Sequence, residues 1–348
     1  MKKLTRILPI LLCVCLLIPL AGCSDNELHE KQIFSMNTQM TLKAYGKHGE
    51  EGINAAIGMI NMLNPLLDPE NELSPVYDMN KAKGAGTAVK SQVVELLKKS
   101  KQMYDETNKA FNPAVYPIVK AWGFINSSYR VPKEEEITEL LKFTDFSRLS
   151  ITDFPEKDSY VVKMPSGMQI SFAAIAKGYA SNLAIAELKS AGVKSAFVSL
   201  GGNIQTLGNK PDGSKWRIAI QDPQNTSTHL GVISVGETAI VTSGGYNRYF
   251  ETPDGKRYIH ILNPSSGMPV DNGLISVTIV CPDGAKADAL STALYVMGEK
   301  KAINYYKKVG GFEMILVNSD NEVIVSNGLY ADFEENGNTY KYSYAGTS

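Results

Sequence analysis

Read along the chain, the period of the apolar positions changes several times, and each change predicts an element. Ile33–Tyr45 alternates in part and predicts one strand. Ile53, Ile57, Ile60 and Leu63 recur three and four apart and predict a short helix over Gly52–Leu63. Residues 64–88 carry Pro65, Pro69 and Pro75 and read as an irregular surface loop. Val89, Val93, Leu96, Leu97, Met103 and Tyr104 line one face of an amphipathic helix over 89–107. A charged, peripheral section, 125–168, holds one helix, Glu134–Phe143. The densest pattern lies at 169–203. There an apolar strand, Gln169–Phe172, meets Ala173 and Ala174, and a helix carried by small and apolar positions runs to Gly192, a helix stop. Strand Ala196–Leu200 then ends on Gly201-Gly202, completing a strand–helix–strand unit. Short strands follow at Ile204–Leu207, Trp216–Gln221, Gly231–Val235 and Ala239–Thr242. Next come a tight turn at Ser243-Gly244-Gly245, a hairpin about Pro253-Asp254-Gly255 and strand Ile275–Cys281. Helices Ala285–Met297 and Lys300–Val309, a hairpin over Glu313–Asn327 and tail strands to about Tyr344 complete the pattern. No linker divides residues 32–345 and no repeat appears. The expectation is a single α+β domain with mixed and antiparallel sheets packed with helices.

The start of the chain reads differently. Lys2, Lys3 and Arg6 precede an apolar run, Ile7–Ala21, too short to span a bilayer comfortably, and it closes on Leu20-Ala21-Gly22-Cys23. This reads as a signal peptide over residues 1–22, and its end resembles the lipobox of bacterial lipoproteins. The resemblance implies lipid on Cys23, a polar tether over residues 23–31 and an extracytoplasmic, membrane-anchored protein. Of the four cysteines, Cys13 and Cys15 leave with the signal and Cys23 carries lipid. Cys281 then stands alone, so no disulfide forms within the mature chain. The formal charge of −1 becomes about −4 without the three leader cations, with 32 basic against 36 acidic residues. Nothing in this charge balance suggests nucleic acid, whose phosphates demand a clustered basic surface.

Three places carry candidate chemistry. Small residues around Ala174 let a helix start and Lys177 approach an anion, although an ordinary packed crossover with a solvated lysine reads the same way. Asp288 and Thr292 stand one helical turn apart, so a carboxylate and a hydroxyl can share a hard cation such as Mg2+; the same spacing also suits a solvated helix face. His260 lies in a loop punctuated by glycine and proline, where it can act as a general base or be a satisfied structural histidine. The segment 109–124 holds four large aromatics and two prolines and reads either as a wall for a flat ligand or as a packed connection around Trp122. Walker A, GxGxxG, HExxH and GxSxG patterns are absent from the sequence.

The order of the pieces adds to this. Ile170–Tyr179 with Gly201-Gly202, then Thr242-Ser243-Gly244, His260–Pro264 with Gly267 and Pro269, and Asp288–Ala293 together resemble the ApbE family of FAD:protein FMN transferases. Met36-Asn37-Thr38, Ser74–Asn80, Phe111-Asn112-Pro113 with Pro117, and Trp122-Gly123-Phe124 share the likeness. It implies a T-fold-like domain, FAD as substrate and Mg2+ as cofactor. In the implied reaction a threonine or serine hydroxyl of an acceptor flavoprotein takes FMN and AMP leaves. Acceptors of the family are subunits of membrane redox complexes or extracytoplasmic electron carriers. By the same resemblance, Ala174, Asp288 and Thr292 match metal ligands. Met36, Ala110, Phe111, Asn112, Ser171, Lys177, His260 and Ile261 match positions around FAD, with His260 and Asp288 as the catalytic pair. Four positions depart from the family. Ser171 and Asn112 replace carboxylates, Asn37 replaces a glycine and Glu70 an aromatic. Each lost charge-assisted hydrogen bond would weaken FAD by roughly 1.5–3 kcal/mol. Two further readings follow: hydrolysis of FAD to FMN and AMP, and a non-catalytic flavin-binding lipoprotein.

Overall fold

The computed structural model describes residues 26–154, 159–337 and 339–346. In chain order it runs β1 (Leu28–Ser35), β2 (Thr38–Tyr45), α1 (Gly49–Leu67), α2 (Pro75–Lys81), β3 (Gly86–Val89), α3 (Ser91–Glu106), α4 (Tyr116–Ala121), α5 (Glu134–Leu141), β4 (Ser150–Phe154) and β5 (Ser159–Lys163). Then come α6 (Ala176–Ser190), β6 (Ala196–Leu200), β7 (Asn203–Leu207), β8 (Trp216–Gln221), β9 (His229–Val235), β10 (Ala239–Gly244), β11 (Tyr249–Glu251) and β12 (Arg257–Ile259). The last stretch holds β13 (Leu274–Cys281), α7 (Gly284–Met297), α8 (Glu299–Val309), β14 (Glu313–Asn318), β15 (Glu322–Ser326), β16 (Phe333–Glu335) and β17 (Lys341–Ala345). The expected signal segment, residues 1–22, and Cys23 lie outside the described residues.

A nine-stranded sheet, ordered β1-β2-β6-β7-β10-β13-β14-β15-β17, organises the molecule. It is mixed, since β15 and β17 pair in parallel while β2 with β6 and β10 with β13, for example, run antiparallel. Alternation along each strand sends successive side chains to opposite faces. In β10, Ala239 and Val241 join the main core with the helices, whereas Ile240 joins a second core against β8, β9 and β16. One face of the sheet is therefore covered by α1, α6 and α7, and the other by the three-stranded sheet β16-β9-β8.

Several expectations are corrected. The single strand Ile33–Tyr45 is a hairpin, because Met36 and Asn37 adopt φ of 47° and 57° and close a two-residue turn between Ser35 and Thr38. The family's glycine suits that position, and asparagine tolerates it best among the other residues. The stretch expected as a tether, residues 23–31, overlaps the fold, since residues 28–31 already pair with β2. Residues 64–88 contain the end of α1, all of α2 and most of β3. Pro75 stands at the first turn of α2, where no amide is needed, and Ser74 Oγ caps the Val76 amide at 3.1 Å. Residues 150–163 hold β4 and β5, hidden from the sequence because their positions are mostly exposed or half-exposed. Gln169–Phe172 is no strand. Asn80 takes both backbone groups of Ile170, at 2.8 and 2.9 Å, and the Ser171 amide donates to Pro113 O. Ser243 and Gly244 continue β10 rather than turning.

Candidate active site

A cleft of about 780 Å³ opens where the start of α6, the side of α7, residues 110–119 at the start of α4, Arg248 and His260 on either side of the β11–β12 hairpin, and β8 converge. Its floor depends on two glycines. A Cβ on Gly178 would stand 2.0 Å from the Gly284 carbonyl oxygen, and one on Gly284 would meet Gly178 O at 2.7 Å. Only glycine lets α6 and α7 cross this closely. The crossing sets Asp288 of α7 against the start of α6. Asp288 is buried, and its Oδ2 accepts the Gly178 amide at 2.9 Å, with the Lys177 amide also directed at the carboxylate. Ile175, at the N-cap of α6, offers no side-chain acceptor, so Asp288 caps α6 from another helix. Burial pushes the Asp288 carboxyl up, while the charge of Lys177 and the two amides pull it down. Asp288 thus lies inside the protein, not on the helix surface that its spacing suggested.

Hydroxyls extend this floor. Ser291 donates to the Asp288 carbonyl at 2.8 Å, Ser243 Oγ lies 2.8 Å from Ser291 Oγ, and Thr292 Oγ1 lies 3.2 Å from Ser243 Oγ. Each hydroxyl has one proton, so Ser243 is assigned as donor to Ser291 and Thr292 as donor to Ser243. The lone pairs of Thr292 Oγ1 are left for the cleft. Among the described residues no three His, Cys, Asp or Glu side chains converge. The donors present are one carboxylate, one hydroxyl and the backbone of the 173–175 turn, which includes Ala174. This set fits a hard cation that keeps waters and leans on ligand phosphates, and it does not fit a closed zinc site.

His260 faces this floor across the cleft. Its Nδ1 lies 3.0 Å from Arg248 O, and a carbonyl only accepts. Nδ1 therefore carries the proton and Nε2 keeps its lone pair. Desolvation first, then the charges of Arg248 and Lys177, push its pKa down to about 4 against the favourable carbonyl contact, so the imidazole is neutral at neutral pH. Lys177 and Arg248 both line the cleft and form no salt bridge among the described residues.

Of the residues expected from the sequence, Ala110, Phe111, Asn112, Ser171, Ala174, Lys177, His260, Ile261, Asp288 and Thr292 all line this one cleft. Met36 does not: it sits in the β1–β2 turn and packs on the core, and Thr38 lines the cleft in its place. Trp122 is wholly buried and donates to Gly267 O at 2.9 Å, so the packed connection is the correct reading of that ring. Asn112 is engaged at both ends of its amide. Oδ1 accepts from the Ala114 amide at 2.9 Å, and Nδ2 donates to Thr144 O at 2.9 Å. A carboxylate could not make the second bond, so this asparagine belongs to its own surroundings. Glu70 accepts from the hydroxyl of Tyr116, a cleft-lining ring, and pairs with Lys120 at 3.4 Å. Arg248 and the β8 residues were not singled out from the sequence, Ser243 entered only through the Thr242-Ser243-Gly244 motif, and Tyr116 only as part of the aromatic segment 109–124. Nothing in their spacing distinguishes them, because contacts between distant elements bring them here.

These features define an α+β enzyme whose cleft is built where two helices cross beneath a mixed sheet. The chain belongs to the ApbE family, which matches residues 36–316. Over 305 residues it is 32% identical to an FAD:protein FMN transferase of Klebsiella pneumoniae (strain 342), covering 87% of this chain and 93% of that one. It is 28% identical over 335 residues to the FAD:protein FMN transferase of Treponema pallidum, covering 91% and 92%. The ApbE protein of Thermotoga maritima superposes with a TM-score of 0.81 at 29% identity, covering 89% of this chain and all of that one. The apo flavinyl transferase ApbE of Pseudomonas stutzeri gives 0.74 at 31%, covering 84% and 92%. The expected single domain of mixed sheets and helices is the ApbE fold, and the chain is an enzyme of the transferase class.

Proposed function

We propose that this enzyme moves FMN from FAD to a threonine or serine hydroxyl of an acceptor flavoprotein, with AMP leaving and Mg2+ required. The observation that carries this reading is the meeting of Asp288, Thr292, Lys177 and His260 in one cleft. Phosphoryl transfer asks mainly for positioning and charge neutralisation. Lys177 and Arg248 supply positive charge for the diphosphate of FAD. Asp288, Thr292 and the Ala174 carbonyl would hold Mg2+, which when bound offsets the charge that builds on the diphosphate and on departing AMP. Ala110, Phe111, Asn112, Ser171 and Ile261 line the walls for the rest of the dinucleotide. His260 Nε2 takes the proton of the acceptor hydroxyl as that oxygen bonds to the FMN phosphorus and the bond to AMP breaks. Nδ1–H stays on Arg248 O and holds the ring's orientation. In the free protein desolvation, with a smaller contribution from the charges of Arg248 and Lys177, keeps His260 a weak base; bound diphosphate offsets those charges and strengthens it.

The proposal extends to location. Lipid on Cys23 places the enzyme on the outer side of the cell membrane, where a redox-complex subunit or an extracytoplasmic electron carrier is the acceptor. The test is to incubate the enzyme with FAD, Mg2+ and an acceptor domain encoded nearby, then to weigh the acceptor and quantify AMP. A mass gain of one FMN phosphoester, with AMP in equal amount, is expected. An acceptor left unmodified while FAD yields FMN and AMP would instead make the enzyme a hydrolase.

A further inference from the structure

This inference rests on the flavinyltransferase reading and concerns how an acceptor protein enters the cleft. Strand β8 is the outer strand of the sheet β16-β9-β8. In β9, the Ser234 amide donates to Asp332 O, and Leu230 O accepts from the Asn336 amide, both toward β16. Backbone groups of successive residues in an antiparallel ladder point to opposite neighbours. Val235, Ile233 and Gly231 therefore serve β8, and their partners there are Trp216, Ile218 and Ile220. The N–H and C=O groups of Arg217 and Ala219 consequently point away from β9, to a side on which no described strand pairs.

That open side borders the cleft. Ile218, Ala219, Ile220 and Gln221 all line it in succession. Side chains alternate along a strand, so one face could present only every second residue; four in a row are presented by the strand's edge. Open edges are normally blunted by charge, proline or a covering segment. Here the exposed central residue is the small Ala219, and the one charge, Arg217, is held by Glu334 at 2.5 and 2.6 Å.

We propose that the free edge of β8 receives an extended, hydroxyl-bearing segment of the acceptor protein as an added strand, feeding the hydroxyl into the cleft. Main-chain pairing gives affinity that depends little on the acceptor's sequence, and it fixes the strand's register against the bound dinucleotide. A short segment is sufficient, since β8 offers only two outward-facing residues, Arg217 and Ala219, and the second already lies at the cleft.

The test uses peptides spanning the modified threonine of an acceptor domain, each methylated at one backbone amide, with the full enzyme, FAD and Mg2+. Methylation at alternate amides should cut transfer at least about tenfold, the scale of one or two ladder hydrogen bonds, while the intervening amides leave it within about twofold. In parallel, Arg217→Pro removes an outward amide and spares the β9 ladder, where an edge strand tolerates proline. It should raise the acceptor KM by about tenfold and leave the FAD dissociation constant unchanged. Transfer indifferent to the parity of methylation, or Arg217→Pro weakening FAD rather than the acceptor, overturns the docking mode alone. Absence of transfer from wild-type enzyme to any unmethylated acceptor overturns the flavinyltransferase reading, and the docking mode with it.

Discussion

At the scale of single residues, Asp288 serves two purposes at once, and substitutions can separate them. Its carboxylate caps the start of α6 and stands among the candidate metal donors. Asp288→Asn keeps an oxygen for the Gly178 amide and removes the charge. Transfer should fall by at least about a hundredfold, the scale of losing one electrostatic stabiliser, while the melting temperature stays near that of the wild type. Asp288→Ala also strands buried amides and should cost a further 1–3 kcal/mol, approximately, in denaturant unfolding. Asn112 makes a contrary prediction. Asn112→Asp restores the family's carboxylate but sets an oxygen against Thr144 O. It should destabilise the protein by about 1–3 kcal/mol and leave FAD binding no tighter, which unfolding and FAD titration will show. His260 sets a pH dependence whose sign follows from its depressed pKa. Above about pH 6.5 it is neutral folded and unfolded and contributes nothing. As pH falls from there through about 4, the unfolded chain takes a proton that the folded one resists, so stability declines. The raised Asp288 carboxyl acts in the opposite sense, so the comparison must be with a variant. His260→Gln should lose less stability between pH 7.5 and pH 5 than the wild type does.

At the scale of elements, the site depends on how closely two helices cross. The Gly178–Gly284 contact admits no side chain, and through it Asp288 reaches α6. Gly178→Ala should force the helices apart, cost more than about 1–3 kcal/mol and abolish transfer together with FAD binding, as denaturation and titration will measure. This contact also explains what the sequence revealed and what it concealed. The helical faces of α3 and α6, the strand β6 and the order of the motifs were legible because apolar periodicity and glycine punctuation are local signals. The burial of Asp288 was not, because it follows from a glycine 110 positions earlier in the chain. The prolines of 64–88 pointed to a loop because they mark the start of a helix as readily as a break. Strands β4 and β5 gave no alternation because neither buries a full face. Arg248 and Ser243 belong to the cleft through β10 and the loop after it, and their contacts with His260 and Thr292 span 12 and 49 positions.

At the scale of the whole molecule, the distance from the proposed anchor to the fold becomes a functional parameter. Strand β1 begins at Leu28, so only residues 24–27 separate Cys23 from the sheet. Even fully extended, such a spacer reaches no more than about 13–18 Å, by the 3.3–3.6 Å available per residue. A lipid on Cys23 would therefore hold the domain close against the bilayer and favour acceptors whose modified hydroxyl also lies near that surface. Two variants test this. Cys23→Ser should move the protein from the membrane to the soluble fraction without changing its rate on a soluble acceptor domain. A flexible insert of about 20 residues before Leu28 keeps the lipid and lengthens the root-mean-square reach to roughly 25 Å. If the short spacer matches enzyme to acceptor, the insert should slow transfer to a membrane-embedded acceptor in proteoliposomes and leave the soluble reaction untouched. Equal rates on both acceptors with the insert in place would show that the anchor retains the enzyme at the membrane without positioning it.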